Sequence, residues 1–249
     1  MRKSLFFLLF LSPIWMFAQV SPADSIINTP MVNLSYSLQF PGGDMAKRYG
    51  FNHNMGVHYW HKTRKNFFFG AEWNMLFGDK IKESGILDSI RTDNGNILDK
   101  NGEYSIIRLF ERGQQINLRF GKLFSFGWPN HNSGILVNGG IGYLQHKIKI
   151  DDIGKKNPNI NPDYKKGYDR LTAGIAFTQS IGFLFLSNNR LTNFFLVMDF
   201  TQAYTQSMRS FNFDTEKKDT TKRWDLLFGP RFGVIIPLYK KLPNEFYYN

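Results

Sequence analysis

The feature that most restricts what this 249-residue chain can fold into is an alternation of period two whose two faces are filled the wrong way round for a soluble protein. From Asn66 to Gly78 one parity collects Phe67, Phe69, Ala71, Trp73, Met75 and Phe77, and the other Phe68, Gly70, Glu72, Asn74, Leu76 and Gly78. From Leu171 to Leu186, Leu171, Ala173, Ile175, Phe177, Ile181, Phe183 and Phe185 oppose Thr172, Gly174, Ala176, Thr178, Ser180 and Gly182, with Gln179 alone breaking the apolar parity. Near the C-terminus Trp224, Leu226, Phe228, Phe232, Val234, Ile236 and Leu238 oppose Arg223, Asp225, Gly229, Arg231 and Gly233. Period two marks strands. A soluble sandwich seldom sets small and ionisable residues opposite long rows of Phe and Trp, whereas a membrane barrel turns its rings to lipid and its small and polar side chains to a narrow interior.

The expected fold class is therefore all-β, an eight-stranded antiparallel up-and-down transmembrane β-barrel. Its strands fall at 31–40, 52–62, 66–78, 106–123, 134–150, 168–186, 193–210 and 223–239. Composition agrees: aromatic residues reach 16%, with 25 Phe, yet the mean hydropathy of −0.33 is too low for a bundle of membrane helices. The connections alternate in length. Those at 41–51, 79–105, 151–167 and 211–222 are longer than those at 63–65, 124–133 and 187–192. Asn94-Gly95, Asn101-Gly102, Pro158 and Pro162 lie in the two longest and are turn signals. Outer-membrane barrels place long loops outside and short turns in the periplasm, which sets the N-terminus in the periplasm.

Arg2 and Lys3 precede an apolar stretch from Leu5 to Phe17 and then Ala18-Gln19, the pattern of a secretory signal peptide. The stretch is short of the roughly 20 apolar residues of a membrane helix. The expected organisation is a signal peptide at 1–19, a short N-terminal periplasmic segment at 20–30, one barrel at 31–239 and a periplasmic tail at 240–249. The net charge of +11 falls to +9 when Arg2 and Lys3 leave with no acid. Export to the outer membrane of a Gram-negative bacterium directs that basic surface at outer-membrane lipids and lipopolysaccharide, not nucleic acid. A protein partner is expected at the periplasmic tail or the outer loops.

The signal peptide ending Phe17-Ala18-Gln19, the alternating strands and the Gly-rich inner faces resemble small outer-membrane β-barrels of the Bacteroidota. The stretches Gly167-Tyr168-Asp169-Arg170-Leu171-Thr172 and Trp224-Asp225-Leu226-Leu227-Phe228-Gly229-Pro230-Arg231-Phe232-Gly233 look like strand openings of that group. PorT-like proteins are similar in size and barrel style, and that resemblance implies an accessory role in type IX secretion or gliding. The tail after Tyr239 departs from barrels that end on their last strand.

An eight-stranded barrel is filled by its own side chains, so inward ionisable groups must pair or take water. Glu72, Arg119, Asp199, Asp225, Arg231, His58 and Asn138 share the inward parity and are expected to form an interior charge network that plugs the lumen. A turn centred near 65 sets Glu72 beside His58, and one centred near 128 sets Arg119 beside Asn138. The alternative function is a lipid A or phospholipid-modifying enzyme. His146 is the histidine placed toward the outer leaflet, and a nucleophilic group there would recruit Ser207 and Asp169. No spacing requires it, and no catalytic residue is assigned. With no Cys, no His-Glu-x-x-His, no EF-hand loop, no Walker loop and no Rossmann fingerprint, neither metal nor cofactor is expected. Trp60, Trp73, Tyr143 and Trp224 suit interfacial belts, Trp60 with inward parity. The expected role is scaffolding, binding or secretion accessory.

Overall fold

The computed structural model describes residues 25–239, apart from 84, 155, 156, 158, 159, 162, 189 and 190. The expected signal peptide and C-terminal tail lie outside the described residues. Eight strands follow one another: β1 (Thr29–Gly43), β2 (Asn52–Lys62), β3 (Phe67–Gly78), β4 (Ile107–Ser125), β5 (Gly134–Asp152), β6 (Thr172–Leu186), β7 (Asn193–Ser207) and β8 (Lys222–Pro237). Each pairs antiparallel with the next and β8 returns to β1, so the sheet is a closed barrel with no free edge. Two single-turn helices, α1 (Met45–Arg48) and α2 (Lys165–Tyr168), and a 3-10 turn at Gly85–Ile90 lie in the connections.

The observed strands depart most from expectation at both ends of β1, the start of β6 and the end of β7. β1 begins at Thr29, taking two residues from the segment placed before the barrel, and continues to Gly43. β6 begins at Thr172 instead of 168, because Lys165–Tyr168 coil into α2 and Arg170 turns through a positive φ of 51°. β7 ends at Ser207 instead of 210. The connections 44–51, 79–106, 153–171 and 208–221 gather at one end of the barrel, and 63–66, 126–133 and 187–192 at the other.

The register carries a stagger. The row of paired residues runs Phe40, Phe228, Phe200, Gln179, Gly139, Phe120, Phe69, His61 and arrives back on β1 at Pro30, ten residues from where it left. A closed sheet requires such a shear, and with it the strands tilt about the axis. Adjacent residues on a row therefore stand at different heights.

Outside, the wall is rings and branched aliphatics: Trp73, Phe120, Ile141, Tyr143, Phe177, Phe200, Trp224 and Phe232 are all exposed. Inside, Asn33, Asn54, Glu72, Asn117, Asp199 and Arg231 are buried. A barrel with an apolar exterior and a polar lumen satisfies its backbone internally and matches hydrocarbon on its outer surface; it is the outer-membrane architecture. Both ends of the lumen are nonetheless closed by apolar side chains. At the short-turn end Trp60 packs on Phe195 with ring centroids 5.0 Å apart, in a cluster with Met31, Phe68, Leu136 and Leu184. Phe195 fits because Gly233 stands opposite: a Cβ there would come within 2.3 Å of its ring. At the long-loop end Ile86 and Leu87 of the 3-10 turn, with Tyr49, Ile97 and Tyr168, pack down on Leu144 and Ile148.

Candidate functional site

Inward parity on β2, β3, β4, β5, β7 and β8 brings six of the seven interior residues together between those two apolar clusters. Glu72 Oε2 accepts from Arg119 Nε at 2.9 Å and from Arg231 Nη1 at 3.2 Å. Arg231 Nη2 lies 2.6 Å from Asp199, and Arg119 Nη2 lies 3.7 Å from the same carboxylate. Two guanidiniums and two carboxylates thus close a square whose charges cancel. Arg119 Nη1 donates to Asn138 Oδ1 at 2.9 Å, Ser180 Oγ donates to the same oxygen at 2.7 Å, and His58 stands 3.8 Å from Glu72. His58 Nε2 also contacts Ser35 Oγ at 3.1 Å and Asn74 Oδ1 at 3.2 Å.

His58 and Glu72 are direct cross-strand partners, as the turn centred near 65 requires. Arg119 and Asn138 are not: Arg119 pairs with Gly140 and Asn138 with Gly121. The turn at 126–133 is centred later than expected, and the resulting two-residue offset keeps both residues on the inner face, where the long Arg119 side chain reaches its partner diagonally.

Asp225 stands apart from this square. It lies nearer the long-loop end, where Oδ2 meets His146 Nε2 at 3.0 Å and accepts from Thr205 Oγ1 at 2.5 Å, while His146 Nδ1 meets the Tyr49 hydroxyl at 3.2 Å. The nucleophilic group considered for His146 does not assemble from Ser207 and Asp169, since Asp169 is gripped by Arg209 at 2.8 and 2.5 Å. Nor does Thr205 replace Ser207. Its hydroxyl donates to the carboxylate, and the hydroxyl that meets the imidazole is the phenol of Tyr49. Burial raises the Tyr49 phenol well above its ordinary value, reinforced by the nearby Glu111 charge, which keeps it protonated.

The sequence reading missed a second set of charges, on the rim. Arg48 of α1 lies 3.6 Å from Glu83 and 3.9 Å from Asp219, and donates to Thr172 Oγ1 at 2.9 Å. Arg170 donates to Glu83 at 3.0 Å and pairs with Asp214, and Arg223 pairs with Asp219 at 2.5 Å. Each long connection contributes: Arg48 from 44–51, Glu83 from 79–106, Arg170 from 153–171, Asp214 and Asp219 from 208–221. Burial pushes the Asp219 carboxyl up, but hydrogen bonds from Thr221 and Arg223 outweigh it and hold the group below its ordinary value. The rim charges carry no periodic signature; only the abundance of opposite charges in those segments hinted at them.

No family model matches the chain, and no curated protein matches it. Among solved structures it is similar to OprG, an outer membrane protein of Pseudomonas aeruginosa, with a TM-score of 0.40 and 10% identity over 86% of this chain and 98% of that one. It is similar to Ail, the attachment invasion locus protein of Yersinia pestis, with a TM-score of 0.39 and 10% identity over 83% of this chain and 99% of that one. Neisserial surface protein A gives a TM-score of 0.37 and 9% identity over 82% of this chain and 96% of that one.

Proposed function

We propose that this barrel acts at the Gram-negative outer membrane as a binding or scaffolding protein that presents its long connections as one fastened surface. The observation that carries the reading is the set of rim ion pairs through Arg48, Glu83, Arg170, Asp214 and Asp219, which joins all four long connections above a sealed lumen. A lumen filled by a neutral charge square between two apolar clusters is a plug, and a tied rim costs less to order on binding than free loops do. In this reading the long connections face outward, the short turns and chain ends face the periplasm, and outer-membrane lipid and lipopolysaccharide surround the wall. The PorT-like resemblance in size and barrel style supports the finer reading of an accessory part in type IX secretion, with a protein partner at the loops or tail.

The test is co-purification from outer membranes in mild detergent, the parent against a variant with the rim untied by Arg48→Ala and Arg170→Ala. A partner held by the parent and released by the untied variant is the expected result. No partner with either, together with an altered lipid A mass spectrum on deletion of the gene, would replace this reading by the lipid-modifying enzyme. A steady ionic conductance of the parent in planar bilayers would replace it by a pore.

A further inference from the structure

Two side chains on the lipid-facing wall have no chemical reason to face hydrocarbon alone. Gln179 sits at the midpoint of β6, pointing outward among Phe177, Ile181 and Phe200, all exposed. Gln202 on neighbouring β7 points outward one diagonal step away, since Gln179 pairs with Phe200 and Gln202 with Phe177. Among the described residues neither amide has a hydrogen-bond partner. Other outward polar groups have company or lie near a strand end: Gln114 donates to Gln145 at 3.4 Å, His53 meets the Tyr36 hydroxyl at 2.6 Å, His61 meets Asn28 at 2.8 Å, Arg112 donates to the Glu111 carbonyl, Lys122 near the end of β4 lies over the Phe67 and Phe124 rings, and Gln206 is one residue from the end of β7. At mid-depth a lipid tail offers neither donor nor acceptor, so these two amides are unsatisfied unless another protein surface meets them.

The wall is also hollow at that place. Gly139 of β5 points outward beside Gln179, and a Cβ there would find only the Thr178 carbonyl oxygen, at 3.9 Å. The hollow measures about 550 Å³ and is bounded by Phe120, Val137, Ile181 and Phe200. On the other side of Gln179, Met198 and Phe200 of β7 project.

We propose that the β5–β7 wall is the interface with a second copy of this chain. An amide both donates and accepts, so identical glutamines satisfy one another across a two-fold axis. Copies inserted in the same direction are related by an axis along the membrane normal. That axis sets the β7 side of one wall against the β5 side of the other, bringing the projecting Met198 and Phe200 of one copy to the hollow over Gly139 of the next. Polar side chains and close packing at small residues drive association within a bilayer, where burial of apolar surface does not.

The chain has no cysteine, which makes the test direct. Full-length Gln179→Cys and Val57→Cys, the latter at the midpoint of β2 on the far wall, are oxidised in native outer membranes, and the parent and Gln179→Leu/Gln202→Leu are sized in mild detergent. Heat-dependent gel mobility shows in each case that the barrel is folded, so a failure of the membrane reading is told apart from a failure of this one. The expected result is a disulfide dimer several-fold more abundant for Gln179→Cys than for Val57→Cys, and a parent dimer that becomes a folded monomer in the double Leu variant. Equal cross-linking from the two walls, a dimer that survives both Leu substitutions, or a monomeric parent that carries lipid on this wall would each overturn it.

Discussion

The lumen and the rim use the same chemistry to different ends. In both, Arg pairs with Asp or Glu, but Glu72, Arg119, Asp199 and Arg231 are at most 3% exposed in their side chains, whereas Glu83 and Asp219 are 24% and 15% exposed. In the lumen the partners sit on neighbouring or facing strands fixed by the hydrogen-bond register, so the backbone has already met the cost of ordering them. On the rim the partners come from four separate connections, and the pairs themselves do the ordering. Loss of a lumen charge leaves another buried without its counter-ion. Loss of a rim charge frees a loop.

The largest effect that separates the two is expected from Glu72→Ala, which leaves Arg119 and Arg231 to share Asp199. Breaking a buried pair by removing one partner costs about 3–5 kcal/mol, seen as an earlier unfolding midpoint in urea when heat-dependent gel mobility is followed. Asp199→Ala is expected to match it. If Glu72→Ala shifts the midpoint no more than Arg223→Ala does, water reaches the square and the contrast collapses.

A smaller effect is expected when all four lumen charges are replaced together, Glu72→Leu, Asp199→Leu, Arg119→Met and Arg231→Met. No charge is then left unpaired, and apolar replacement of a whole buried network is often neutral. The quadruple variant should unfold later than Glu72→Ala alone; an earlier midpoint would show that the charges add more than mutual neutralisation.

Arg170→Ala removes two pairs on the rim. Partly exposed pairs are worth about 1 kcal/mol or less, so the unfolding midpoint should barely move while limited proteolysis within 208–221 accelerates, because Asp214 is released. Unchanged proteolysis would mean that the connection is held by its packing, Phe213 on Tyr168 among it.

The smallest effect is in pH. The Asp219 carboxyl titrates below its ordinary value of 3.8 in the folded protein, so its stabilisation is complete above that value and is lost as pH falls through the lowered one. Proteolysis of 208–221 should be flat from neutral pH to about 4 with an acid-tolerant protease and rise only below that. A rise between 6 and 5 would point to another group.

The barrel was legible because each strand declares its own two faces, and eight such declarations with alternating connections leave one closed arrangement. The Glu72–His58 contact was legible for the same reason, being a neighbour across a short hairpin. Asp225 shows where this reading stops. Parity tells which residues face the lumen but not at what height, and height depends on the ten-residue stagger, which only the complete set of pairings fixes. Asp225 and Arg231 share a strand and a face, yet one meets His146 and the other Glu72. The rim was illegible because Arg48, Glu83 and Asp219 belong to segments with no period, and nothing in a loop's own sequence names the loop it will touch.

β8 is the eighth strand in chain order, and it carries Arg231. Without it, Glu72 and Asp199 would face a lumen in which Arg119 is the one guanidinium of the square, and both β1 and β7 would offer an unpaired edge. The strand that joins β7 to β1 is thus also the strand that carries the second guanidinium of the square. A chain truncated before β8 would have neither a complete wall nor a neutral charge square, so an open barrel would differ from the closed one in its electrostatics as well as in its hydrogen bonds.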